Sequence, residues 1–122
     1  MSTALKTVKK FMRLTNEKGD IKSAVGLMAD DIEFIGPAAK CKSKEEYAAL
    51  LEQFLSAHNS WKLHQTFENG NEVCFINDIQ VNTPNGGILT LELVEWFKVE
   101  NGKIKRHKVF YDPTEFKKAF GM

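Results

Sequence analysis

The stretch Leu91-Glu92-Leu93-Val94-Glu95-Trp96-Phe97-Lys98-Val99-Glu100-Asn101-Gly102-Lys103-Ile104-Lys105-Arg106-His107-Lys108-Val109-Phe110-Tyr111 decides the fold. Two runs of period-two alternation flank Asn101-Gly102, a dipeptide that tolerates positive φ and so marks a hairpin. Two turns are possible. A two-residue turn pairs Val99 with Ile104, Trp96 with His107 and Glu95 with Lys108. A three-residue turn, with Gly102 left-handed in a bulge, pairs Val99 with Lys103, Glu95 with His107, Leu93 with Val109 and Leu91 with Tyr111. The second is the expected one. It gathers Leu91, Leu93, Phe97, Val99, Val109 and Tyr111 on one face and leaves Glu92, Lys98, Arg106 and Lys108 on the other.

The same pattern extends backwards along the chain. Strands are expected at about 61–68, 72–82, 88–99 and 103–111, separated by Asn69-Gly70, Asn85-Gly86-Gly87 and Asn101-Gly102. The same choice of turn at Asn69-Gly70 puts Trp61, Leu63, Phe75, Asn77, Ile79 and Val81 on the inner face. Before residue 61 the apolar spacing is helical. Leu5, Val8, Phe11, Met12 and Thr15 form one stripe, with Ser2 or Thr3 as cap and Gly19 as stop. Asp20 caps a short helix with Ile21, Ala24, Val25 and Met28 on one side, ended by Asp30-Asp31. A strand follows at Ile32–Ile35, broken by Gly36-Pro37. Ser43 and Glu46 form a capping box for a helix that carries Tyr47, Leu50, Leu51, Phe54 and Leu55 inward to about His58. Asp112-Pro113-Thr114-Glu115 starts a short C-terminal helix. Residues 1–122 thus read as one α+β domain: three N-terminal helices covering an antiparallel sheet, then one short helix.

On the inner face three polar residues interrupt the apolar ones: Asn77, Glu95 and His107. Burying a carboxylate without a partner costs several kcal/mol, so such a cluster under a helical cover marks a pocket. Glu95 and His107 are the candidate catalytic acid–base pair, with His107, Asn77 or Tyr111 as donor to a developing oxyanion. Trp61, Phe34, Tyr47 and Leu51 read as core or pocket wall. Trp96, Val94 and Phe110 fall on the outer face, where an apolar patch fits a dimer interface.

Composition narrows the classes further. Of 122 residues, 17 are Lys or Arg and 16 are Asp or Glu, so the net charge of +1 gives no field to attract nucleic acid. The basic string Lys103–Lys108 alternates between strand faces and makes no patch. No apolar run approaches the ~20 residues of a membrane span, and Lys6, Lys9 and Lys10 interrupt any signal peptide. His58, His64 and His107 lack ligand spacing, and Cys41 and Cys74 form no zinc pair, so no metal is expected. No P-loop, dinucleotide fingerprint or G-x-S-x-G is present. Cys41 sits in a loop beside Lys40 and Lys42, whose charges favour a reactive thiolate; the alternative is a surface cysteine with no role. The expected location is the cytoplasm.

Several strings resemble the nuclear transport factor 2-like superfamily, in particular its SnoaL-like and ketosteroid-isomerase-like members. They are Thr15-Asn16 through Gly19-Asp20, Met28-Ala29-Asp30-Asp31 before a strand, Trp96-Phe97-Lys98-Val99-Glu100-Asn101-Gly102-Lys103-Ile104, and Val109-Phe110-Tyr111-Asp112-Pro113 before a helix. The resemblance implies a cone-shaped (cystatin-like) fold with a curved sheet around a long helix, one deep pocket, and a homodimer through the outer sheet face. The tyrosine, base and protonated acid of ketosteroid isomerase fall on Phe11, Gly36 and Glu95, so two of its three roles are absent. No Asp-Arg-Asp set of the family's epoxide hydrolases is found, whereas Glu95 with His107 is a loose counterpart of the acid and histidine of its polyketide cyclases. The implied protein binds a small apolar or carbonyl-containing ligand and acts, without cofactor, as an isomerase, cyclase or lyase. Glu95 and His107 would be catalytic, and Asn77, Tyr111, Trp61, Phe34, Phe11 and Val109 would contact substrate. The alternative is a non-catalytic ligand-binding or dimerisation module.

Overall fold

The computed structural model describes residues 3–122, with Ser2, one of the two candidate caps, outside them. Among these residues the order is α1 (Thr3–Asn16), α2 (Ile21–Val25), β1 (Met28–Ile35), β2 (Lys40–Cys41), α3 (Lys44–Ala57), β3 (His58–Asn69), β4 (Glu72–Asn82), β5 (Ile88–Glu100), β6 (Lys103–Phe110) and α4 (Thr114–Ala119). One six-stranded sheet runs β2-β1-β6-β5-β4-β3. The sheet is mixed rather than antiparallel, because β1 pairs with β6 in parallel. The long meander β3–β6 leaves the β6 edge open, and β1 covers it before the chain enters β2 and α3.

Local signals explain the helices. Gly19 takes φ +62 after α1, and Asp20 caps α2 by accepting from Ser23 N–H. Ser43 accepts from Glu46 N–H, and Glu46 accepts in return from Lys42 N–H. At α4 the helix begins at Thr114, one residue later than expected. Asp112 Oδ1 accepts from Thr114 N–H and hydroxyl, and Pro113 occupies the cap position.

Met28 belongs to β1, not to the stripe of α2. It is buried opposite Ile104, and the neighbouring Leu27 carbonyl accepts from Ile104 N–H at 2.8 Å. Its spacing of four from the buried Ile32 imitates a helical period. Cys41 lies buried in β2 opposite Phe34, not in an exposed loop. Burial there, with Glu46 nearby, pushes its thiol up, against the thiolate that its lysine neighbours would favour.

Both hairpin registers differ from expectation, yet the same side chains face inward. Asn101 (φ 52) and Gly102 (φ 74) make a two-residue turn with both residues left-handed, pairing Glu100 with Lys103 and Val99 with Ile104. The bulge lies one step further along, at Lys105, beyond which Lys98 pairs with Arg106, Phe97 with His107 and Glu95 with Val109. The extra residue restores the facing that a plain two-residue turn would reverse. At the first hairpin Asn69 pairs directly with Glu72, and a bulge at His64 then sets Leu63 opposite Asn77 and Trp61 opposite Ile79.

The inner face packs into two apolar clusters. One joins α1 and α3 to Val73, Phe75, Phe97 and Ile104; the other centres on Ile79, Val81, Leu91, Leu93 and Val109. Phe34 and Trp61 touch both. Each fully buried Phe, Leu or Val contributes about 1.5–3 kcal/mol.

Candidate active site

Between the two clusters lies a cavity of about 380 Å³. α1 supplies Phe11 and Met12, α3 supplies Tyr47, Leu51 and Phe54, the sheet supplies Leu93, Glu95, His107 and Val109, and α4 with its C-cap supplies Phe116 and Phe120. Its inner wall carries a continuous hydrogen-bonded chain. His107 Nε2 lies 2.7 Å from Glu95 Oε1, and His107 Nδ1 is bonded to the Tyr47 hydroxyl. With Glu95 ionised, Nε2–H donates to the carboxylate; in the neutral imidazole Nδ1 then accepts from Tyr47 O–H.

Each member is positioned by its element. Val109 stands opposite Glu95 and Phe97 opposite His107, so the acid and the imidazole are diagonal neighbours on one face. Phe97 stacks on the imidazole, and Phe34 and Phe11 meet it edge-on at 5.2 and 6.1 Å. Tyr47 comes from the first turns of α3 and is 2% exposed, while the His107 and Glu95 side chains are 5% and 8% exposed. Burial, and secondly the charge of Glu95, push the Tyr47 phenol well above its ordinary range. Tyr47 therefore stays protonated unless its proton moves directly onto His107.

Six of the sequence-derived residues line the cavity: Glu95, His107, Tyr111, Phe34, Phe11 and Val109. Asn77 and Trp61, expected as substrate contacts, are not among its lining residues. Asn77 is fully buried beneath the cover between Leu63 and Leu93, and neither its amide nor Trp61 Nε1 has a hydrogen-bond partner among the described residues. Tyr47, read as wall from the sequence, is the member of the hydrogen-bonded chain that reading missed. The one available signal was a hydroxyl-bearing side chain on the otherwise apolar inward stripe of α3. Among the described residues no group of three or more His, Cys, Asp or Glu side chains could hold a metal ion, and no helix is long and apolar enough to cross a membrane.

The sequence profile of the SnoaL-like domain matches residues 8–107. No protein of curated function matches the chain significantly. Among solved structures, an NTF2-like protein of unknown function from Cytophaga hutchinsonii ATCC 33406 superimposes with a TM-score of 0.81 at 26% identity, over 95% of this chain and 96% of that one. Another of unknown function, from Burkholderia pseudomallei K96243, gives 0.86 at 18% identity, covering both chains fully. TerC, co-crystallised with polyporic acid, gives 0.83 at 17% identity, over 99% of this chain and all of that one. The α+β fold with its curved mixed sheet and short C-terminal helix is thus the NTF2-like fold.

Proposed function

The chain belongs to the SnoaL-like domain family, and from that premise we propose that it is an acid–base enzyme acting on a small carbonyl compound held in the cavity. The carrying observation is the buried chain Tyr47–His107–Glu95 on the wall of an otherwise apolar hollow. A filled core, or a solvent-exposed pair, would favour a binding module instead. The neighbour TerC, crystallised with polyporic acid, supports a small-molecule site.

Glu95 is the base. Oε1 is engaged by His107, while Oε2 has no hydrogen bond among the described residues and takes a proton from the carbon next to the substrate carbonyl. The electron pair moves onto the carbonyl oxygen, and the proton returns from Glu95 to a different atom, so an isomerisation closes without oxidant or reductant. Tyr111, whose phenol burial keeps protonated, lines the same cavity and donates to the developing oxyanion. His107 and Tyr47 hold the carboxylate's orientation. The apolar walls give these groups a low-dielectric surrounding, which strengthens each of these interactions.

The test is deuterium exchange at the methyl group of 2-acetylnaphthalene, followed by proton NMR in heavy water. Exchange accelerated by the protein, and slowed about 10²–10⁴-fold in Glu95→Gln, is expected for general-base catalysis. Exchange at the buffer rate with the ketone bound would overturn the enzymatic reading.

A further inference from the structure

We infer that the cavity takes an uncharged ring compound through a hydroxyl group, a phenol or an enol, that donates to Glu95 Oε2. The inference rests on the cavity being the substrate site and adds the form in which the substrate is bound.

Three observations carry it. Among the described residues that line the cavity there is no Lys or Arg, and the carboxylate is Glu95, so an anionic ligand would be buried against a like charge with no counterion. The walls are rich in rings, with Phe34, Phe54, Phe116 and Phe120 among them, and a volume of about 380 Å³ lies at the small end of the roughly 300–1,000 Å³ of small-molecule sites. The third is the distribution of protons. Thr15 donates to the Phe11 carbonyl and Asn16 to the Met12 carbonyl, so these donors on the wall are already engaged. Tyr47 keeps its proton and donates it to His107 Nδ1, so Nε2–H points at Glu95 Oε1 and Oε2 remains an acceptor. A bound ligand that lacked a donor would leave that oxygen buried and unpaired. An enol satisfies it: it forms when Glu95, having taken the proton from carbon, delivers it to the carbonyl oxygen, which leaves Oε2 free again to accept from the new hydroxyl. The hydroxyl is thereby the recognised group as well as a product of the chemistry.

Three probes of nearly equal size separate the possibilities: 2-naphthol, 2-methoxynaphthalene and 2-naphthoate, each titrated calorimetrically against the intact protein. The expected order is 2-naphthol tighter than its methyl ether by roughly tenfold to a hundredfold, the range of a hydrogen bond to a charged group, with no binding of the carboxylate. Glu95→Gln turns an amide NH₂ toward the ligand while the amide oxygen keeps His107, so the preference for naphthol over the ether is lost or reversed. Equal binding of naphthol and ether, naphthoate binding as tightly as naphthol, no binding of any probe, or a preference unchanged in Glu95→Gln would each overturn the inference. The wild-type comparison decides even if the variant fails to fold. Failed deuterium exchange with the hydroxyl preference intact removes only the enzymatic reading; successful exchange without the preference removes only this inference.

Discussion

His107 stands directly across the β5–β6 ladder from Phe97, and the two rings stack with centroids 4.0 Å apart and planes 15° apart. Phe97 is fully buried and also meets Phe11 and Phe75, so it is a rigid floor for the imidazole. Phe97→Leu keeps most of the volume and removes the flat surface. It is expected to cost about 1–2 kcal/mol in urea unfolding, below the 3–5 kcal/mol of a Phe→Ala truncation, and to slow 2-acetylnaphthalene exchange at least tenfold. Unchanged exchange would show that the stacking does not position the base.

His58 gives the pH dependence its sign. It caps α3, donates from Nε2 to Asn16 Oδ1 at 3.1 Å and packs against Phe54. Burial lowers its pKa below the ordinary 6.5. A folded pKa below the unfolded one means that the unfolded chain binds more protons, so stability from this group is full above pH 6.5 and is lost as pH falls through that value towards the folded pKa. His58→Gln should flatten the stability profile in that window, read from urea midpoints at a series of pH values. A wild-type slope surviving in the variant would place the titration elsewhere.

Asn77 is a buried amide with no hydrogen-bond partner among the described residues, flanked across the ladders by Leu63 and Leu93. Leucine has nearly its shape and no polar atoms to desolvate. Asn77→Leu is therefore expected to raise the unfolding free energy by on the order of 1 kcal/mol. A loss of stability would mean that the amide is satisfied in solution.

The long strands and their turns are legible because β3 to β6 alternate over many residues and end at Asn-Gly. The inward facing of Glu95 and His107 was legible too, from the segregation of apolar and charged side chains, although the register that produces it was not. A bulge such as Lys105 or His64 adds one polar residue that leaves no mark in composition, so turn length and bulge position trade against each other in the sequence. β2 is two residues long, too short for any periodicity, and β1 begins with Met28 and Ile32 at helical spacing. Tyr47 was hidden for another reason. Its partner His107 is sixty residues away, and only the packing of α3 over β1, the neighbour of β6 in the sheet, reveals that its hydroxyl meets an imidazole.

The homodimer proposed for the outer face of the sheet has its own test. Val94 and Phe110 are paired across β5 and β6 at 37% and 44% exposure, and Trp96 lies on the same face with its Nε1–H held by Glu72. Lys108 Nζ sits 5.1 Å from the Phe110 ring, so one edge of the patch is already covered by a cation while Val94 is open. Placing lysines at Val94 and Phe110 sets like charges opposite each other when two such faces meet, without touching the inner core. Light scattering should show a dimer for the wild type and a monomer for Val94→Lys/Phe110→Lys, with the monomer's far-UV spectrum unchanged. The two lysines also face each other across the ladder within one chain, so the molecular mass, and not the thermal stability, reports the lost interface. A wild type that is monomeric at high concentration would remove the interface and leave the cavity chemistry untouched.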